Sequence, residues 1–130
     1  MSPSHIDVTD LAPADIHAGC RAVTPVLARI GDKWTILVIM LLSSGSLRFN
    51  AIKKLLDGIS QRMLTLTLRN LERDGLVTRT VTPSIPPRVD YELTPLGVSL
   101  RVPVMALGRW VADNLEEIER SRAAFDRPAD

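Results

Sequence analysis

Residues 50–75 read NAIKKLLDGISQRMLTLTLRNLERDG, and this stretch decides the fold. Asn50 is a good N-cap for a short helix, Ala51 to Leu56, whose Ile52, Leu55 and Leu56 are expected to face inward. Asp57-Gly58-Ile59 predicts a tight turn, Ser60 caps a second helix running to about Asp74, and Gly75 stops it. On a wheel of about 100° per residue from Ser60, Leu64, Thr67, Leu68 and Leu71 fall within about 80° of zero. Arg62, Arg69 and Arg73 fall between about 180° and 220°, with Thr65 at about 140°. One side is a packing stripe and the other carries three guanidinium groups and a hydroxyl. Leu66, at about 240°, is the misfit.

Two β-rich runs follow, Leu76 to Thr82 and Val89 to Leu93. Their join, Pro83-Ser84-Ile85-Pro86-Pro87-Arg88, is too long for a two-residue turn and too rich in proline to pair, so it projects as a loop. Two short helices joined by a three-residue turn with a glycine, then a hairpin, outline a winged helix-turn-helix. The expected class is therefore mainly α with a small β-hairpin wing.

Further out, Thr94-Pro95 opens a last helix, with Thr as N-cap and Pro at the first helical position. Its apolar residues Leu96, Leu100, Val104, Leu107, Val111, Leu115 and Ile118 recur at steps of three and four, and Pro103 should kink it. This stripe is too long for a small winged core to cover, so Leu100, Val104, Leu107, Val111, Leu115 and Ile118 are expected to pack on a second copy of the chain. Upstream, the spacing of Val23, Val26, Leu27 and Ile30 predicts a short helix that Gly31-Asp32 breaks. Asp32 then caps a helix from Lys33 to about Ser43 that is apolar nearly all round, hence central to the core. Ser46 to Phe49 reads as an extended link. The expected organisation is a flexible arm over 1–19, a winged domain over 20–122 whose helix from about 95 to 122 serves dimerisation, and a disordered tail over 123–130.

The composition bounds the function. The chain has 130 residues, 45% apolar and 24% charged, ordinary for one globular domain. Its longest apolar run, Trp34 to Leu42, falls well short of the roughly 18 residues needed to cross a bilayer. The first twenty residues carry His5, Asp7, Asp10 and Asp15 and lack the apolar region of a signal peptide, so a cytoplasmic protein with no membrane partner is expected. One cysteine, Cys20, excludes an intrachain disulfide framework and a Cys-cluster zinc site, while His5 and His17 are too isolated to build a metal centre. No cofactor is expected. Without paired carboxylates, a nucleophile–base set or a phosphate-cradling glycine loop, neither is an enzyme.

The net charge is +1, but it is unevenly spread. Residues 48–90 hold eight basic side chains against four acidic ones, and both flanks are net negative. A neutral chain with a basic middle suits a module that meets a polyanion on one side. Arginine's planar fork matches two acceptors on guanine and also clamps phosphates, and residues near the start of a recognition helix reach base edges. Gln61, Arg62 and Thr65 are therefore assigned to base reading, and Ser60, Arg69 and Arg73 to phosphate or supporting roles. The blander alternative has these arginines keep a surface helix soluble by pairing with Glu72 or Asp74. Arg79 and Arg88 sit on or beside a proline-stiffened loop, which suits a wing laid on phosphates or a minor groove, or else a rigid solvent loop. Arg48 and Lys53, with Lys54 beside it, complete the basic set for double-stranded DNA, although a lysine pair on a short helix is as readily only solvated.

These residues resemble the HxlR-type transcriptional regulators, which are related to MarR proteins. The resemblance is carried by Arg48-Phe49-Asn50, Gly58-Ile59-Ser60-Gln61-Arg62-Met63-Leu64, the run from Leu68 to Val77, Arg79, Pro86-Pro87-Arg88-Val89-Asp90-Tyr91, Leu93-Thr94, Gly97 and Trp110. Gly31-Asp32-Lys33-Trp34 is similar to the family's G-G-K-W, and Cys20 falls fourteen residues before Trp34, where many members carry Cys. Ala51, Arg21 and Asp90 depart from the commoner Glu, Pro and Glu. The resemblance implies a homodimeric winged-helix regulator joined through its terminal helices. It also implies two readings of Cys20: a thiolate that senses electrophiles, quinones or hypochlorite, or a packed, inert thiol. Trp34, Phe49 and Trp110 are read as core or dimer-seam aromatics. The expected function is repression from an inverted-repeat operator, the alternative being a winged-helix protein-interaction module without DNA binding.

Overall fold

The computed structural model describes the backbone of residues 13–129 and the side chains of residues 21–129. Helix α2 (Lys33–Leu42) forms the centre, and its start is fixed by the Asp32 carboxylate, which accepts from the backbone N–H groups of Trp34 (3.1 Å) and Thr35 (3.3 Å). Val38, Ile39 and Leu42 of α2 are buried, as its nearly all-round apolar sequence requires. Around it close Ile52 of α3 (Phe49–Leu55), Leu64, Leu68 and Leu71 of α4 (Gln61–Arg73), and Tyr91 and Leu93 of the sheet.

The helix-turn-helix is α3 and α4. Ser60 caps α4 as expected, its Oγ accepting from Met63 N at 3.0 Å. At the other end Leu76 N donates to Leu71 O (3.0 Å) and Gly75 N to Glu72 O (3.1 Å), the paired bonds of a Schellman stop. That stop needs a left-handed residue, and Gly75 supplies it at φ 76°. The chain then enters the wing, β2 (Val77–Thr82) and β3 (Arg88–Leu93), paired antiparallel from Val77↔Leu93 to Thr82↔Arg88. Helix α5 (Pro95–Asp126) follows, with Thr94 Oγ1 accepting from Gly97 N and donating to Gly75 O at 2.6 Å.

Several expectations need correcting. Helix α1 (Pro13–Ile30) begins ten residues before the anticipated Val23 and runs unbroken through Pro25, so residues 13–19 of the expected arm are helical; residues 1–12 lie outside the described part. Ser46 to Phe49 is not merely a link: Leu47–Arg48 form a short strand, β1, paired with β3, giving a three-stranded sheet of order β1-β3-β2. This pairing holds Arg48 extended (φ −77°, ψ 155°) as the N-cap of α3, so the helix starts before Asn50, and no side chain caps it. Leu55, expected inside, is exposed, while Leu56 and Ile59 are buried. Helix α5 runs through Pro103 to Asp126, four residues past the expected end and into the expected tail.

The apolar stripe of α5 divides in two. Val104 is buried in the chain's own core and Leu100 packs against it, which removes both from the face available to a second copy. Leu107, Val111 and Leu115 are exposed, and Ile118 is half-buried. Trp34 and Phe49 pack on the core, whereas Trp110 is 56% exposed. No described residue of α5 beyond Val104 is buried.

Candidate nucleic-acid interface

Helix α4 presents the two faces that its sequence encodes. Leu64, Thr67, Leu68 and Leu71 are buried, which pins the helix rotationally against α2. The opposite face, Gln61, Arg62, Thr65, Arg69 and Arg73, is exposed, with Ser60 at its head. The Thr65 hydroxyl donates to Gln61 O (2.8 Å), so toward a ligand it offers only its acceptor lone pairs. The Ser60 oxygen is occupied as a cap acceptor but keeps its O–H to donate.

The blander reading of these arginines required partners at Glu72 or Asp74. Asp74 instead bonds Arg29 of α1, Nη1 to Oδ1 at 2.8 Å. Among the described residues, Arg62, Arg69, Arg73, Arg48 and Arg79 form no ion pair. Unpaired guanidinium groups on one ridge set up a positive potential that a phosphate backbone meets directly. Leu66, the misfit of the wheel, is 50% exposed on this same side. Sequence reading passed over it as a contact; its signal was an apolar residue among polar ones on a solvent face.

The wing carries a second group of arginines. Arg79 and Arg88 are exposed, and the loop between the strands carries Ile85, fully exposed, joined to Pro86 by a cis bond. Arg88 differs from the other arginines because its Nε donates to Asp90 Oδ2 at 2.9 Å. Between wing and helix-turn-helix lies a groove of about 620 Å³, walled by Arg48 to Ala51 on one side and by Thr82, Ser84 and Pro86 to Val89 on the other. Lys53 is half-buried and Lys54 exposed, so the second lysine is the freer of the pair. The Cys20 thiol lies outside the described side chains, although its backbone belongs to α1. No helix among the described residues is long and apolar enough to cross a membrane.

A buried-backed helix with a basic outer ridge, followed by a basic wing, defines a helix-turn-helix transcriptional regulator. The chain belongs to the HxlR-like helix-turn-helix family, whose profile matches residues 29–119. It is 39% identical over 117 residues to the HTH-type transcriptional regulator YdeP of Bacillus subtilis (strain 168), covering 88% of this chain and 91% of that protein. Among solved structures it is similar to the transcriptional regulator ytfH from Salmonella typhimurium, with a TM-score of 0.74 and 35% identity over 77% of this chain and 89% of that one. It is also similar to the redox regulator HypR in its reduced form (TM-score 0.71, 38% identity), covering 76% of this chain and 98% of that one.

Proposed function

We propose that this chain is a homodimeric, sequence-specific DNA-binding repressor that occupies an inverted-repeat operator and releases it on oxidation. The observation that carries DNA binding is the ridge of exposed arginines on α4, set opposite its buried stripe. Gln61, Arg62 and Thr65, near the helix start, read base edges in the major groove, and Leu66 offers an apolar contact to a thymine methyl. Ser60, Arg69, Arg73, Arg48 and Lys53 hold phosphates and set the register, while Arg79 and Arg88 bring the wing onto the backbone or into the minor groove. A second copy covers Leu107, Val111, Leu115 and the half-buried Ile118, together with the exposed Val23, Val26 and Leu27 of α1. Two-fold pairing then places two recognition helices about one helical turn apart. The oxidation response rests on Cys20 and on the likeness to a redox regulator.

The test is a mobility shift on the chain's own upstream DNA across a salt series. Affinity should fall steeply with salt, because several phosphates are neutralised. Arg62→Ala should weaken binding to selected sequence most, and Arg88→Ala should weaken selected and random duplex alike. A flat salt response with no preferred duplex would replace this reading with that of a protein-interaction module.

A further inference from the structure

We infer that Asp90 is a positioning residue for DNA binding: it grips Arg88 by Nε so that the rest of the guanidinium is held out from the wing toward a phosphate. This inference rests on the DNA-binding reading above. Asp is a poor strand former, yet Asp90 occupies β3, the central strand of the sheet, with its side chain only 20% exposed. By register it lies directly opposite Arg48 on β1 and Thr80 on β2. Arg88, two residues away on the same face of β3, is 49% exposed and lines the groove between the wing and the start of α3. Asp90 is thus set on the sheet between two arginines that border one groove.

The atom that is bonded matters. Only Nε of Arg88 meets the carboxylate, at 2.9 Å, and among the described residues neither terminal amino group has a protein acceptor. A guanidinium held this way has lost the freedom of its long stem but keeps the donors that fork onto a phosphate. Elsewhere an acid beside a DNA-binding surface simply repels the backbone. The two roles therefore predict opposite signs when the carboxylate is removed.

The experiment is a double-mutant cycle, read as affinity for a fixed 40-base-pair duplex (an arbitrary length) by fluorescence anisotropy at low salt. Asp90→Ala should weaken binding about fivefold, the scale of one exposed charged pair. In the Arg88→Ala background the same change should have no effect or tighten binding. Asp90→Asn should stay within about twofold of wild type, because its amide oxygen still accepts from Nε. Arg88→Lys, which leaves Asp90 untouched and the charge in place, should also bind severalfold more weakly, since lysine lacks the fork. Tighter or unchanged binding by Asp90→Ala with Arg88 present would overturn the proposal, as would equal weakening in both backgrounds or wild-type affinity for Arg88→Lys. Failure of the wild-type chain to bind any duplex is a different result, removing the DNA-binding reading and this inference with it.

Discussion

Replacing Gly97 by alanine sets two physical expectations against each other. Gly97 lies in the first turn of α5, and on helix propensity alone alanine should stabilise it by up to about 1 kcal/mol. The structure argues the reverse. A Cβ built on Gly97 would lie 2.1 Å from the carbonyl oxygen of Leu76, 3.1 Å from its carbonyl carbon and 3.2 Å from Leu93 Cδ2. Ordinary C···O contacts begin near about 3.3 Å, so the helix and the link between α4 and β2 would have to part by about 1 Å. The oxygen cannot swing aside cheaply, because it accepts from Thr94 N at 3.0 Å, the residue that caps α5. Overpacking of this kind costs about 1–3 kcal/mol, and breaking the Leu76–Thr94 bond adds about 1 kcal/mol, against the propensity gain. The expected net loss is about 2 kcal/mol, or roughly 6–10 °C in Tm for a chain of this size. Thermal unfolding by circular dichroism, at one protein concentration so that any self-association is held constant, gives the answer. A Tm equal to or above wild type would refute the reasoning, since propensity would then have outweighed contact.

Other outcomes follow from the same geometry. Ser60→Ala removes the acceptor for Met63 N and should lower stability by about 1 kcal/mol while fraying the start of α4, seen as a lower urea midpoint and weaker DNA binding. Leu107→Asp, on an exposed turn of α5, should leave secondary structure intact and shift the chain from dimer to monomer in sedimentation experiments; an unchanged dimer would move the pairing surface elsewhere. Diamide should release DNA from wild type but not from Cys20→Ser, and release from both, or from neither, would remove Cys20 as the sensor.

The parts of the fold legible in sequence are those fixed by local chemistry. Ser60 and Gly75 bracket α4 with a side-chain cap and a left-handed stop, and the wheel of α4 separates the residues that are buried from those that are not. Asp32 and Thr94 mark helix starts in the same way. What escaped reading depends on distant partners. The strand Leu47–Arg48 has no strand signature of its own; it exists because β3 lies beside it, and that pairing moves the start of α3 ahead of Asn50. Helix α1 extends further upstream than its sequence announces because residues 13–22 carry no firm apolar period, although Pro13, at its first position, is where proline suits a helix. Periodicity marked Val104 and Leu107 alike as one stripe; only the extent of the core shows that Val104 belongs within the chain and Leu107 outside it. At the candidate interface the arginines were legible as a set, but the engagement of Arg88 by Asp90, and of Asp74 by α1 rather than α4, needed three dimensions.

The sheet order β1-β3-β2 has a mechanical consequence. Because β3 is hydrogen-bonded to the residues that lead directly into α3, the base of the wing is clamped to the helix-turn-helix instead of hanging from a hinge. Each copy of the chain therefore carries α4 and the wing at a fixed separation, in effect as a single stamp. Under the pairing proposed above, half-sites spaced more or less widely along a duplex would be accommodated by shifting whole copies against each other along α1 and α5. On that proposal, tolerance to operator spacing would be a property of the seam between copies, and sequence preference a property of each copy alone.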